Sequence, residues 1–270
     1  MRSLRVPVDG GEMFTVDSGE GPPVLLVHGS PVSSLEYRAT IARLAVHFRV
    51  LAVDLLTFGR SSGPQDGADV PQQVRALRSL LDTLDLDRFH LVVHDWGGPI
   101  GLGAAALRPA QLDRLVLVNT SVRTDLRHPR YWWPFVAPVL GEAALVWANT
   151  FSWGLPLQLR AARRDHALRQ RYREALSDVA TRRTVLKLER MQGYVSVCES
   201  IERTLPELRG PQLIVWGEPD PCYRRGESVR MRELFPTARF VRLQGAGHFP
   251  PEDAPAEVAQ EISASLRQAT

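Results

Sequence analysis

Four short apolar runs constrain this chain more than any other feature of its sequence. They are "PVLLVHG" (23–29), "RVLAVD" (49–54), "HLVVHD" (90–95) and "RLVLVN" (114–119), each closed by Gly, Asp or Asn. Runs of that length without polar alternation read as strands buried on both faces. Between them lie stretches of helical period, such as "VPQQVRALRSLLDTL" and "GPIGLGAAAL". Strands that alternate with helices build βαβ units, and these imply a parallel sheet with helices on its faces. The pattern returns near the end, as strand "QLIVWG" (212–217), helix "GESVRMRELF", strand "RFVRLQ" (239–244) and helix "PAEVAQEISASLRQ".

The segment 122–208 breaks this rhythm. It carries aromatics and Arg-rich helical stretches and no convincing strand. It reads as a helical cap inserted in an α/β core made of 1–121 and 209–270. A length of 270 residues suits one large domain with such an insertion. The net charge of +3 is small, and Lys187 is the only lysine. The local excess at Arg160, Arg163, Arg164, Arg169, Arg171 and Arg173 is interleaved with Ala, Leu and Gln. That pattern reads as a solvated helix face, so no nucleic-acid partner is expected. Cys198 and Cys222 fit neither a metal spacing nor a disulfide framework, and reduced thiols are expected. The first residues lack a secretory signal and no run reaches the length of a membrane span, which predicts a soluble, cytoplasmic protein.

In open α/β sheets ligands bind beyond the carboxyl ends of the strands. The residues found there are "HGSP" (28–31), "DLLTFGRSS" (54–62), "HDWGG" (94–98), "NT" (119–120), "WGEPD" (216–220) and "GAGH" (245–248). A histidine, a glycine-flanked turn and several carboxylates converge on one face. Asp95 has a plain alternative role as N-cap of the following helix. That role accounts for one carboxylate but not for Trp96, "WGEPD" or "GAGH".

On these motifs the chain resembles the α/β-hydrolases over nearly its whole length. The third turn resembles a nucleophile elbow with aspartate in place of serine. The resemblance implies a mostly parallel sheet flanked by helices, with the cap inserted after the sixth strand. It also implies the order nucleophile, acid, base: Asp95, Asp220, His248. Asn119 occupies the place where some relatives keep the acid, and an amide cannot act as the anion. Gly97 and Gly98 are the small neighbours a strained elbow needs, and Gly29 lets the loop after the first run turn back over it. His28 is expected to be a structural hydrogen-bonder. By strand alternation the side chain of His94 points away from the site.

An aspartate nucleophile suits attack on an sp³ carbon, leaving an alkyl ester on Asp95. His248 then activates water against the carbonyl carbon of that ester, and Asp220 orients the imidazole. The backbone N–H groups of Ser30 and Trp96 are the expected oxyanion donors. "VHDWGG", "HGSPVSSLEYR", "GHFPPEDAP" and the cap segment "PVLGEAALVWANTF" resemble haloalkane dehalogenases, which implies cleavage of a carbon–halogen bond, with the Trp96 indole on the halide. Ser30 stands where many of them place a second donor, Asn. Trp132, Trp133, Trp147 and Trp153 read as packing residues. The alternative is an epoxide hydrolase with cap tyrosines as proton donors, Tyr131 and Tyr194, while Tyr172 also lies in the cap. Tyr37 and Tyr223 fit both families. A binding protein with a disused pocket would have lost part of the triad, and all three members are present. The expected partners are a small apolar organic substrate and water, with no cofactor and no metal.

Overall fold

The computed structural model describes residues 1–158, 165–208 and 210–267. Arg160, Arg163 and Arg164 lie outside the described residues. The central sheet has eight strands in the order β1-β2-β4-β3-β5-β6-β7-β8. They are β1 (Arg2–Val8), β2 (Gly11–Ser18), β3 (Pro23–Val27), β4 (Arg49–Val53), β5 (Phe89–His94), β6 (Leu112–Val118), β7 (Gln212–Glu218) and β8 (Arg239–Gln244). From β4 to β8 across the sheet all pairings are parallel. The hairpin β1–β2 is antiparallel and joins the sheet antiparallel to β4. No apolar run announced this hairpin. Its cue is Asp9-Gly10, a two-residue turn with Gly10 at φ 85°, between two paired segments.

The inner strands are buried on both faces, and successive side chains enter two separate cores. Leu25, Leu51, Leu91 and Leu115 join one core; Val24, Leu26, Val50, Val92 and Val116 join the other. Helices α1 (Arg38–Leu44) and α11 (Pro255–Arg267) cover the second core with Ile41, Leu44, Val258 and Ile262. Helices α2 (Val70–Thr83) and α3 (Gly97–Ala106) cover the first with Leu77 and Ile100. Asp69 and Gln72 start α2 with a reciprocal capping box.

Between β6 and β7 run α4 (Trp133–Val136), α5 (Thr150–Gln158), α6 (His166–Glu174), α7 (Val179–Glu189) and α8 (Tyr194–Thr204). The last of these packs on α3 and buries Cys198 and Ile201 in the core, so it flanks the sheet rather than roofing it. On α6, Arg171 and Arg173 are exposed, as a solvated face requires. Two short helices, α9 (Glu227–Leu234) and α10 (Pro250–Asp253), follow β7 and β8 and precede α11. No helix among the described residues is long and apolar enough to cross a membrane.

The expectation that the cap tryptophans pack inside holds only for Trp132. Trp133, Trp147 and Trp153 are 62%, 70% and 64% exposed. The cap helices are short and use one face each. Trp132, Phe135 and Phe151 take the inward face, and residues one or two positions along point elsewhere. Arg173 covers the ring of Trp153 at 4.6 Å.

Candidate active site

The end of β5 turns sharply into α3, and Asp95 sits on that turn at φ 49°, a region costly for a side-chain-bearing residue. The turn closes only because its neighbours are small. A Cβ on Gly98 would lie 1.9 Å from the Thr120 hydroxyl, and one on Gly29 would lie 2.6 Å from the Asp95 Cβ. Thr120 Oγ1 donates to the Asp95 carbonyl at 2.6 Å and anchors the turn from β6. The carboxylate does not cap α3. Its Oδ2 accepts from the Ser30 N–H at 3.0 Å, and its Oδ1 accepts from the Tyr223 hydroxyl at 3.2 Å.

His248 lies beyond β8 with Nε2 3.6 Å from Asp95 Oδ1. Its Nδ1 faces Asp220 Oδ2 at 3.0 Å and Oδ1 at 3.1 Å. Asp95, His248 and Asp220 are thus brought together from three loops. Burial pushes the His248 pKa down, but the carboxylates of Asp220 and Asp95 outweigh it and raise the pKa above 6.5. Burial likewise raises the Asp220 pKa, and the His248 and Asn119 contacts bring it below the ordinary carboxylate value. Asn119 is a positioning residue. Its Nδ2 donates to Asp220 Oδ2 at 2.7 Å while its Oδ1 accepts from Gly217 N–H at 2.7 Å.

His94 points away from the cavity, as alternation requires, and supports His248 from beneath. Its Nδ1 meets Glu36 Oε2 at 2.9 Å and its Nε2 meets the His248 carbonyl at 2.8 Å. Both partners are acceptors, so only the imidazolium can satisfy them together. Burial lowers the His94 pKa, but the Glu36 carboxylate overcomes this and brings it to about 9. Glu36 itself is fully buried in the one-turn 3-10 helix Ser34–Tyr37, a position that the sequence did not single out. His28 is structural. Its Nε2 accepts from Leu55 N–H at 2.9 Å, its Nδ1 lies 2.6 Å from the Gly29 carbonyl, and burial lowers its pKa.

A cavity of about 150 Å³ opens above Asp95, walled by residues of the core loops and the cap. A dry cavity of that size holds a ligand about as large as benzene. The Ser30 hydroxyl lines it without a protein partner among the described residues. Tyr194 also lines it, but its hydroxyl donates to the Ser121 carbonyl at 3.1 Å, and its ring meets Trp96 edge-on. Tyr131 does not reach the site. It is 58% exposed and its hydroxyl bonds the Pro221 carbonyl, because it lies on the outer side of the turn before α4. The buried hydroxyl of Tyr172 bonds Glu252 elsewhere in the molecule.

The residue that sequence reasoning missed is Glu189, the last of α7. It is 5% exposed and lines the cavity. Trp96 Nε1 donates to its Oε1 at 3.3 Å, and Trp132 Nε1 donates to its Oε2 at 2.6 Å. Burial raises its pKa, as does the Asp95 charge, against the lowering effect of His128 and the two indoles. No motif marks it, since "KLER" is an ordinary helix end.

Asp220, Cys222 and His248 bring potential ligand atoms within 4.8 Å of one another. The donor set does not suit a metal. Asp220 and His248 Nδ1 are already bonded to each other, and burial with nearby carboxylates raises the Cys222 thiol pKa far above that of a ready thiolate.

A family model described as the alpha/beta hydrolase fold matches residues 22–255. "Haloalkane dehalogenase 2" of Mycobacterium tuberculosis is 30% identical over 93% of this chain and 90% of its own. "Cis-3-alkyl-4-alkyloxetan-2-one decarboxylase" of Shewanella oneidensis is 30% identical over 94% of this chain and 85% of its own. Among solved structures, haloalkane dehalogenase DbeA of Bradyrhizobium elkani superposes with a TM-score of 0.87 over 97% of this chain and 96% of its own; at 22% identity it speaks for the fold.

Proposed function

We propose that this chain, which belongs to the α/β-hydrolase fold family and is closely related to the haloalkane dehalogenases, hydrolyses a small apolar electrophile through an alkyl ester on Asp95. The observation that carries the reading is the division of labour on one carboxylate. Oδ2 rests on the Ser30 amide, while Oδ1 faces the cavity beside His248 Nε2. Oδ1, which also accepts from the Tyr223 hydroxyl, attacks an sp³ carbon and the bond to the leaving atom breaks. Water then takes the position between Asp95 and His248. His248 removes its proton as it attacks the ester carbonyl, and Asp220 stabilises the imidazolium that forms. The Ser30 amide, already on Oδ2, stabilises the oxyanion of that second step.

Two leaving groups fit the first step. The names of several relatives favour a halide. The carboxyl group of Glu189 on both cavity indoles favours an oxygen, and so does the relative named for an oxetan-2-one, a strained ring with a carbon–oxygen bond to break.

Asp95→Asn should abolish turnover, because an amide is a poor nucleophile. His248→Gln should still be alkylated but not hydrolysed, and intact-protein mass spectrometry should show one substrate-sized adduct on Asp95. Sustained turnover by Asp95→Asn, with deamidation excluded by mass, would contradict the covalent route.

A further inference from the structure

Two indole N–H groups that converge beside a nucleophile make a site for an acceptor, since indole nitrogen only donates. In this chain the acceptor is part of the protein. Trp96 comes from the elbow, Trp132 from the start of the cap and Glu189 from the end of α7, and both indoles end on its carboxyl group. A halide leaving from the carbon attacked by Asp95 would meet carboxyl oxygens where it needs donors. If Glu189 is ionised, the halide is repelled as well.

The tyrosine hydroxyls in and near the cavity are committed. Tyr223 donates to Asp95, Tyr194 donates to the Ser121 carbonyl, and Tyr131 lies outside. A protonated carboxyl group can accept from both indoles and still has one O–H to give. Resting on the Asp95 ester reading, we infer that Glu189 is the acid that protonates a departing oxygen, and that the site takes a strained cyclic ether, an epoxide, in preference to a haloalkane. Asp95 Oδ1 forms a bond to one ring carbon as the carbon–oxygen bond breaks. The electron pair goes to the oxygen, which takes the Glu189 proton. The step leaves a hydroxyalkyl ester on Asp95 and a carboxylate on Glu189, and the two indoles stabilise that carboxylate as it forms.

In the second step the water oxygen enters the Asp95 carboxyl group and the departing alcohol takes the proton held by His248. Asp95 is left as an acid, and its proton returns to Glu189. The sum is epoxide plus water giving a vicinal diol. Burial favours the protonated resting state of Glu189, as does the Asp95 charge; His128, 3.9 Å from Oε2, and the two indole donors oppose it.

The test uses the full chain with a matched pair of probes, 1,2-epoxyhexane and 1-bromohexane. In a His248→Gln background the rate of adduct formation on Asp95 is read by mass spectrometry. Adding Glu189→Gln, which keeps the size and an acceptor oxygen, should slow the epoxide reaction by roughly 10²–10⁴-fold, the usual worth of a general acid. The bromide reaction should stay level or rise. Equal slowing of both probes, or an unchanged epoxide rate, would overturn the role of Glu189 while the adduct keeps the ester reading intact. No adduct from either probe would overturn the ester reading beneath it. A second measurement needs no variant: bromide should quench the wild type only linearly, through the exposed Trp133, Trp147 and Trp153. A saturable component would place a halide on the cavity indoles and overturn the inference.

Discussion

Asp95 faces the cavity only because the chain passes over it with no side chain at Gly29. Gly29→Ala would put a methyl carbon 2.6 Å from the Asp95 Cβ and 2.8 Å from its Oδ2, the oxygen held by the Ser30 amide. Either the loop or the carboxylate must move, and removing one preorganised donor costs roughly 10²–10³ in rate. We expect Gly29→Ala to lose that much in single-turnover alkylation with its circular dichroism spectrum unchanged. The proposed base, His248, carries its own signature in pH. Asp220 raises the pKa of His248, and His248 must be neutral to accept a proton from water, so ester hydrolysis should fail as pH drops through a value above 6.5. Asp220→Asn removes the raising charge. The acid limb should then move to lower pH while the maximal rate falls by roughly 10²–10⁴-fold, as expected for an impaired general base. A limb that stays in place would assign the titration to another group.

At the scale of elements, the loop carrying His248 hangs on the strand carrying Asp95. His94, the last residue of β5, donates to the His248 carbonyl and to Glu36 only as an imidazolium. Its pKa, about 9 in the folded protein against 6.5 for a free imidazole, makes this a pH-dependent brace. A group whose pKa is raised on folding stabilises the fold fully below its unfolded value. That stability declines as pH rises above about 6.5 and is lost once pH passes about 9. Glu36→Gln should remove it. Urea unfolding of wild type and variant should differ most near pH 6 and converge near pH 10, outside the window set by those two values. A gap that persists at the higher pH would mean that Glu36 acts by packing alone.

For the molecule as a whole, the site is complete only when the cap sits on the core. Thr184 of α7 accepts from the Thr57 hydroxyl at 2.7 Å and from Ala68 N–H at 2.8 Å, both on core loops. Thr181 bonds the Thr57 carbonyl from the preceding turn of α7. The same helix ends at Glu189, so these threonines set its height above Asp95. Thr184→Val keeps the shape and leaves two buried donors unpaired, at about 1–3 kcal/mol each. We expect a lower thermal midpoint together with slower alkylation. A lower midpoint with alkylation unchanged would separate cap docking from the placement of Glu189.

Much of this was legible from short-range pattern. Both-face burial forces β3 to β7 into unbroken or nearly unbroken apolar runs, so the parallel sheet could be read without contacts. The elbow and the His248 loop were equally plain, because strain and close approach demand particular residues, Gly29, Gly97 and Gly98 among them. The hairpin β1–β2 was less so, since a half-exposed strand needs no apolar run. What the tertiary structure alone decided is the polarity around the leaving atom. Trp96, Trp132 and Glu189 are far apart in the chain and each looks ordinary where it stands. Their meeting depends on where α7 ends above the elbow, and no local propensity encodes that height. The same holds for Asn119 and Glu36, whose work is done across the sheet end. Sequence thus determined which residues are the candidate nucleophile and base, Asp95 and His248; packing decided that a buried carboxyl group, and not an empty pair of donors, waits opposite them.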